Sequence, residues 1–238
     1  MMENDVAKYF MPGLMVVIAM GLVVFYALDI RQRSKAEQKR ANSFFQLAGQ
    51  LGLTCQPIKD TELPRRYFFV RQLDLGENRF ARNSLTGDYS GHQVCVFDYH
   101  YEIKSATGDE RTSDDSSILI MHVAAGDQLA EFPRLTIARE GPGGSFAEAF
   151  GVDDISFESL EFSRMFRVHS KDKKFAYDVC YPRMMEYLMV NPDLTLEYNL
   201  YTIAMIFNRR LKPEEIRPNL DRLLEVRSLL PNYVLTPA

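Results

Sequence analysis

Three hydropathy patterns follow one another along the chain. The first is an uncharged run from Tyr9 to Leu28, YFMPGLMVVIAMGLVVFYAL. At ~1.5 Å rise per residue it reaches ~30 Å, the thickness of a bilayer's hydrocarbon core. Aromatic residues stand at both ends, Tyr9 and Phe10 then Phe25 and Tyr26, where amphipathic rings favour the headgroup layer. Pro12 falls in the first turn, where a missing N–H costs a helix little. A transmembrane helix over 9–29 is expected. The second pattern is helical: in Ser34 to Leu53, Phe44, Leu47, Ala48 and Leu51 recur at i, i+3, i+4 and i+7. The membrane helix is expected to run on into it or to break briefly near Asp29.

The third pattern has the period of two that strands require. Tyr67 to Val70 is one candidate, and Ser84 to Tyr89 with His92 to Ile103 forms a hairpin turning at Ser90-Gly91. In the second arm Gln93, Cys95, Phe97, Tyr99, Tyr101 and Ile103 share an apolar face, which is assigned to the core. His92, Val94, Val96, Asp98, His100 and Glu102 share the other, which is read as solvated. Ser105 to Ser116 reads as a polar loop; Ser117 to Ala124 and Pro133 to Arg139 read as strands.

Glu140 to Ser145 is a turn, and Phe146 to Phe150 a short helix. Ser159 to His169 reads as a strand, and Asp172 to Cys180 as a helix. A further helix starts at Pro182 and ends near Val190. Leu194 to Phe207 holds two short strands or one bent one. Pro213 opens a last helix to about Leu230, where Pro231 stops it. The expected class is α+β: an N-terminal transmembrane helix, then a mainly antiparallel sheet flanked by helices. The organisation is a short extracytoplasmic N-terminus (1–8), the membrane helix (9–29), a basic juxtamembrane helix (30–53) and a cytosolic α+β domain (54–238).

Charge gives the direction. Glu3, Asp5 and Lys8 precede the span, whereas Arg31, Arg33, Lys35, Lys39 and Arg40 follow it. Positive flanks stay cytoplasmic, so the N-terminus is expected outside and the large domain inside, at the inner (plasma) membrane. The acidic start and the passage from Tyr26 through Asp29 into arginines do not resemble a cleaved signal peptide. The same five basic residues are candidate contacts for anionic lipid headgroups. A net charge of −4 argues against nucleic-acid binding. Three scattered cysteines, Cys55, Cys95 and Cys180, without a CxxC pair, fit a reducing compartment.

Candidate chemistry is sparse. His92, Asp98 and His100 share a strand face, with His122 on a neighbouring strand, but alternating polar residues are what a solvated face shows. No metal and no cofactor is expected. Gly141 to Gly144 could form a backbone anion nest, yet the Gly-Lys-Ser/Thr of a P-loop does not follow. No serine sits in a GxSxG elbow, and the cysteines lack an evident activating setting, Arg183 near Cys180 apart. Arg164 stands out. On a strand it would share a face with Phe162, Phe166 and Val168, and a buried guanidinium there needs a partner such as Glu158, Glu161 or a ligand.

The stretch FESLEFSRMFRVHSKDKKFAYDVCYPRMMEYLM, Phe157 to Met189, resembles a group of bacterial single-pass membrane proteins of unknown function. The hairpin TGDYSGHQVCVFDYHYEI is similar to theirs as well. The resemblance implies an architecture, an N-terminal anchor plus one domain, and no activity. The expected function is a non-enzymatic interaction or scaffolding module, held near the bilayer to meet a protein partner. Two alternatives stand beside it: a ligand sensor or enzyme with a pocket near Arg164, His100 or Asp98, and a lipid-surface binder acting through the basic neck.

Overall fold

The computed structural model describes residues 3–104, 111–125, 128–139 and 155–235, with backbone alone over 3–18 and at 125. Two compact units divide the chain, 1–43 and 44–238. The first is part of α1 (Glu3–Leu51), a single helix without a break at Asp29. From Met20 to Ile30 its large apolar side chains are exposed on every side, for instance Leu22, Val23, Phe25 and Tyr26. Among the described residues no helix is long and apolar enough to cross a membrane. The side chains of residues 9–18, half of the uncharged run, lie outside the described residues.

The second unit is built on one eight-stranded sheet. Its strands are β1 (Thr54–Gln56), β2 (Glu77–Tyr89), β3 (His92–Lys104), β4 (Arg111–His122), β7 (Phe132–Arg139), β8 (Phe166–Ser170), β9 (Thr195–Leu200) and β10 (Thr202–Phe207). A separate two-stranded ribbon holds β5 (Ala124–Ala125) and β6 (Gln128–Leu129). The order β1-β2-β3-β4-β10-β9-β7-β8 is antiparallel throughout. The fold is thus α+β with an antiparallel sheet, as the sequence leads one to expect. The hairpin turns at Ser90 (φ 53°) and Gly91 (φ 83°), two left-handed residues that match the twist of the flanking strands.

Both faces of the sheet are covered. One carries the larger core: Val94 and Val96 of β3, Leu119 and Met121 of β4, Leu196 and Tyr198 of β9, and Leu135 and Ile137 of β7. The helices α3 (Leu160–Met165), α4 (Lys173–Val179), α5 (Pro182–Val190), α6 (Pro213–Ser228) and α7 (Asn232–Leu235) supply buried residues to it. Phe44, Leu47, Ala48 and Leu51, the stripe at the end of α1, join them. Sequence-local devices start the helices. Ser159 Oγ accepts the Phe162 N–H at 3.3 Å, Asp172 Oδ1 accepts the Phe175 N–H at 2.9 Å, and Pro182 and Pro213 open α5 and α6.

Among the described residues the opposite face has a thinner cover: α2 (Glu62–Arg66) and the 3-10 turn Arg71–Asp74. Leu63, Tyr67, Phe69, Val70 and Leu73 pack there on Phe97, Tyr99, Ile118, Ile120 and Ile206. The structure departs from the sequence expectation at four places. Tyr67 to Val70 is the turn between those two helices, not a strand. The supposedly solvated face of β3 buries Val94, Val96 and Asp98, because helices lie on it as well. Residues 111–116 extend β4 instead of forming a loop. Ser159 to His169 is the cap and helix of α3 followed by β8, so Arg164 is an exposed residue in the last turn of a helix, not a guanidinium between core phenylalanines. The remainder of the expected loop (105–110), the turn Glu140 to Ser145 with Gly141 to Gly144, and the short helix Phe146 to Phe150 lie outside the described residues.

Neighbouring phenylalanines on α1 test the packing of its end. Phe44 is 0% exposed and Phe45 67%. In urea melts of the full chain in neutral detergent, Phe44→Ala is expected to cost about 3–5 kcal/mol. Phe45→Ala is expected to stay within about 0.5 kcal/mol of the parent. Equal losses would contradict this packing.

Candidate functional site: a cation-lined cavity on the second face

Strand alternation places the site. On β9, Leu196 and Tyr198 enter the large core, so Glu197 and Asn199 project to the second face. On β7, Leu135 and Ile137 do the same and leave Thr136 on that second face, where His169 of β8 pairs with it in register. The second face is therefore aromatic and aliphatic over β3, β4 and β10, and polar over β9, β7 and β8. The covering segment ends at that boundary.

Polar bonds fasten it there. Both Glu197 oxygens accept the Arg71 backbone N–H at 3.0 Å. Asn199 Nδ2 and Arg134 Nη2 each donate to the Phe69 carbonyl, at 2.8 and 3.0 Å. Arg134 Nε stands 3.9 Å from Glu197 Oε1. Glu197 is only 1% exposed, and burial raises its carboxyl to about 7 against the pull of the Arg71 N–H and the Arg134 charge.

Beyond the fastened segment lies a cavity of about 900 Å³. Thr136, His169 and Asn199 line its wall, and Arg71, Arg134, Lys171 and Lys173 bring four cationic side chains to it. Among the described residues Asp172 is the one carboxylate in the lining, and its Oδ1 is engaged as the cap of α4. In a chain of net charge −4 this is a local concentration of positive charge, the arrangement that focuses a field on anions. A pocket of this volume holds a small organic molecule.

The residues singled out from sequence do not build this cavity. Asp98 is buried in a structural network: Asn83 Nδ2 and Ser117 Oγ each donate to it at 2.9 Å, and Arg210 Nη2 at 3.3 Å. His100 pairs with Asp115 at 2.9 Å and stacks on Phe80. His122 meets the Tyr67 hydroxyl at 3.0 Å, and burial lowers its pKa, as it does that of His92. No group of three metal-ligating side chains occurs among the described residues. Burial pushes the Cys95 thiol up to about 12 and that of Cys180 higher still, so both are poor nucleophiles; Cys55 is raised too, and Arg183 is exposed. The neck residues Arg31, Arg33, Lys35 and Lys39 are exposed on α1, Arg40 is half-buried, and Arg33 reaches Asp29 at 2.8 Å.

Sequence reasoning passed over Glu197, Asn199, Arg71 and Arg134. The available signal was the polar pair at i, i+2 in Thr195–Leu200, a strand followed at once by the almost wholly apolar Thr202–Phe207. A carboxylate in such a strand has to find a donor, and here the donor is a backbone N–H 126 residues away in sequence.

No family model and no curated protein matches the chain. A similar solved structure is the crystal structure of the mycobacterial trehalose monomycolate transport factor A, TtfA, at 12% sequence identity and a TM-score of 0.56. The likeness covers 83% of this chain and 98% of that one. The two share a fold.

A proton held more tightly by Glu197 in the folded protein favours folding most at low pH. That contribution is full below the ordinary carboxyl value of 4.5 and is lost as pH rises through about 7. Glu197→Gln keeps an acceptor for the Arg71 N–H and removes the titration. Between pH 4 and pH 8 the parent chain is expected to lose about 3 kcal/mol more unfolding free energy than the variant, measured by urea melts. Parallel pH profiles would contradict the burial of this carboxyl.

Proposed function

We propose that this chain is a membrane-anchored binding module, a single-pass protein of the bacterial type its sequence resembles. Its α+β domain is held at the cytoplasmic face to meet a protein partner. The observation that carries the reading is the uncharged run Tyr9 to Leu28 within the unbroken helix α1, followed by Arg31, Arg33, Lys35, Lys39 and Arg40. A helix apolar on all sides has no amphipathic stripe to bury against a protein core and is satisfied by lipid. The exposed apolar side chains of Met20 to Ile30 support this. Anchoring raises the domain's effective concentration at the bilayer without a new contact.

Binding is favoured over catalysis by the state of the reactive side chains. The thiols of Cys95 and Cys180 are held protonated by burial, and Asp98 and His100 are engaged in structural pairs. The fold shared with a transport factor fits an accessory role. A second reading, attachment to anionic lipid through the neck, draws on the exposure of Arg31, Arg33, Lys35 and Lys39.

Cell fractionation and reporter fusions test the anchor. The chain is expected to stay with membranes through an alkaline carbonate wash, with a C-terminal green fluorescent protein bright and a C-terminal alkaline phosphatase inactive. Release by the wash, or the reverse reporter pattern, would overturn the reading. In-cell crosslinking is then expected to capture a partner with the full chain and not with an anchor-only chain ending at Ser43.

A further inference from the structure

We propose that the cavity between β7, β8, the loop into α4 and the 3-10 turn Arg71–Asp74 is a binding site for a small phosphate-bearing anion. Three observations carry it. The first is charge: among the described residues four cationic side chains and one carboxylate, Asp172, line the cavity, with Glu197 behind the wall. Glu197 receives its two bonds from the Arg71 backbone and stands 3.9 Å from Arg134, while Lys171 and Lys173 are exposed at the rim. The second is geometry. Arg134 is anchored by its bond to the Phe69 carbonyl and Asn199 by a bond to the same oxygen, so part of the wall is set before any ligand arrives.

The third is the mixture of donors. Two guanidinium groups recognise planar pairs of anionic oxygens, and two ammonium groups act as point charges. Thr136 and Asn199 add neutral polar groups. A phosphate monoester or diphosphate presents two or more negative charges and several acceptor oxygens, which suits that set. At about 900 Å³ the cavity also has room for the organic remainder such a phosphate carries. The same chemistry could arrive as a soluble metabolite or as a lipid headgroup. The inference rests on the 44–238 unit alone and does not depend on the membrane reading.

Inorganic pyrophosphate is the probe. Titrated calorimetrically into the full chain in neutral detergent, it is expected to bind saturably at one site. Lys171→Ala/Lys173→Ala is expected to weaken that binding about tenfold, two charge-assisted contacts being lost. Lys35→Ala/Lys39→Ala, which removes equal charge from the neck, is expected to leave it within about twofold. No saturable binding, or equal weakening by the two pairs, would overturn the proposal. A second readout uses the unmutated chain: pyrophosphate is expected to shield Lys171 and Lys173 from amine acetylation while Lys35 and Lys59 react as before. Uniform reaction would overturn it as well. Repeating the titration in nanodiscs of phosphatidylcholine with and without phosphatidic acid identifies the source. Competition by phosphatidic acid assigns the site to a headgroup, and unchanged affinity assigns it to a soluble phosphate.

Discussion

A buried carboxylate holding a backbone N–H is the interaction on which the second face of this molecule depends. The sheet is apolar on both sides over β3, β4 and β10, and both sides must be kept from water. Among the described residues five helices and the end of α1 cover one side, whereas α2 and a 3-10 turn cover the other. That segment buries Leu63, Tyr67, Phe69, Val70 and Leu73 on the sheet. It is kept in register by Glu197 on Arg71 and by Asn199 and Arg134 on Phe69. Where those bonds are made the cover stops, and the polar rows of β9, β7 and β8 remain to wall a cavity. Fold and candidate site thus share one cause.

The same economy appears at Asp98. Its carboxylate gathers Asn83, Ser117 and Arg210, while Ser117 Oγ also accepts the Leu211 N–H at 3.0 Å. The strand that follows the hairpin is thereby tied to the loop entering α6. Losing one partner of such a group leaves a charge uncompensated in a poor solvent for it, which costs far more than the pair itself contributes. Asp98 and His100 of β3 therefore hold structure together, and a chemistry assigned to them would compete with that duty.

Much of this architecture is legible in the sequence because its signals are local. Ser90-Gly91 states its own turn, Pro182 and Pro213 state helix starts, and Asp172 supplies its own cap. The segment around Arg164 misleads for a definite reason. Phe162 and Phe166 are four residues apart, a spacing that suits one face of a helix as well as alternate positions of a strand. Ser159 decides for the helix by capping Phe162, and the two rings stack with centroids 5.2 Å apart. The covering of both sheet faces is not legible, since it depends on where remote segments return. Nor is the cavity, whose walls come from residues 71, 133, 134, 136, 169–173 and 199. Its cations are unremarkable in sequence and meet only through the strand order β9-β7-β8.

The most direct test of this account is the titration of Glu197 itself, followed at its side-chain carboxyl carbon by NMR. The full chain would carry labelled glutamate, with Glu197→Gln used to assign the signal. A midpoint near 7 is expected, as burial under the Arg71–Phe69 segment requires. A midpoint near the ordinary 4.5 would mean that the carboxyl is hydrated and the segment is not seated. The wall that defines the cavity would then be missing.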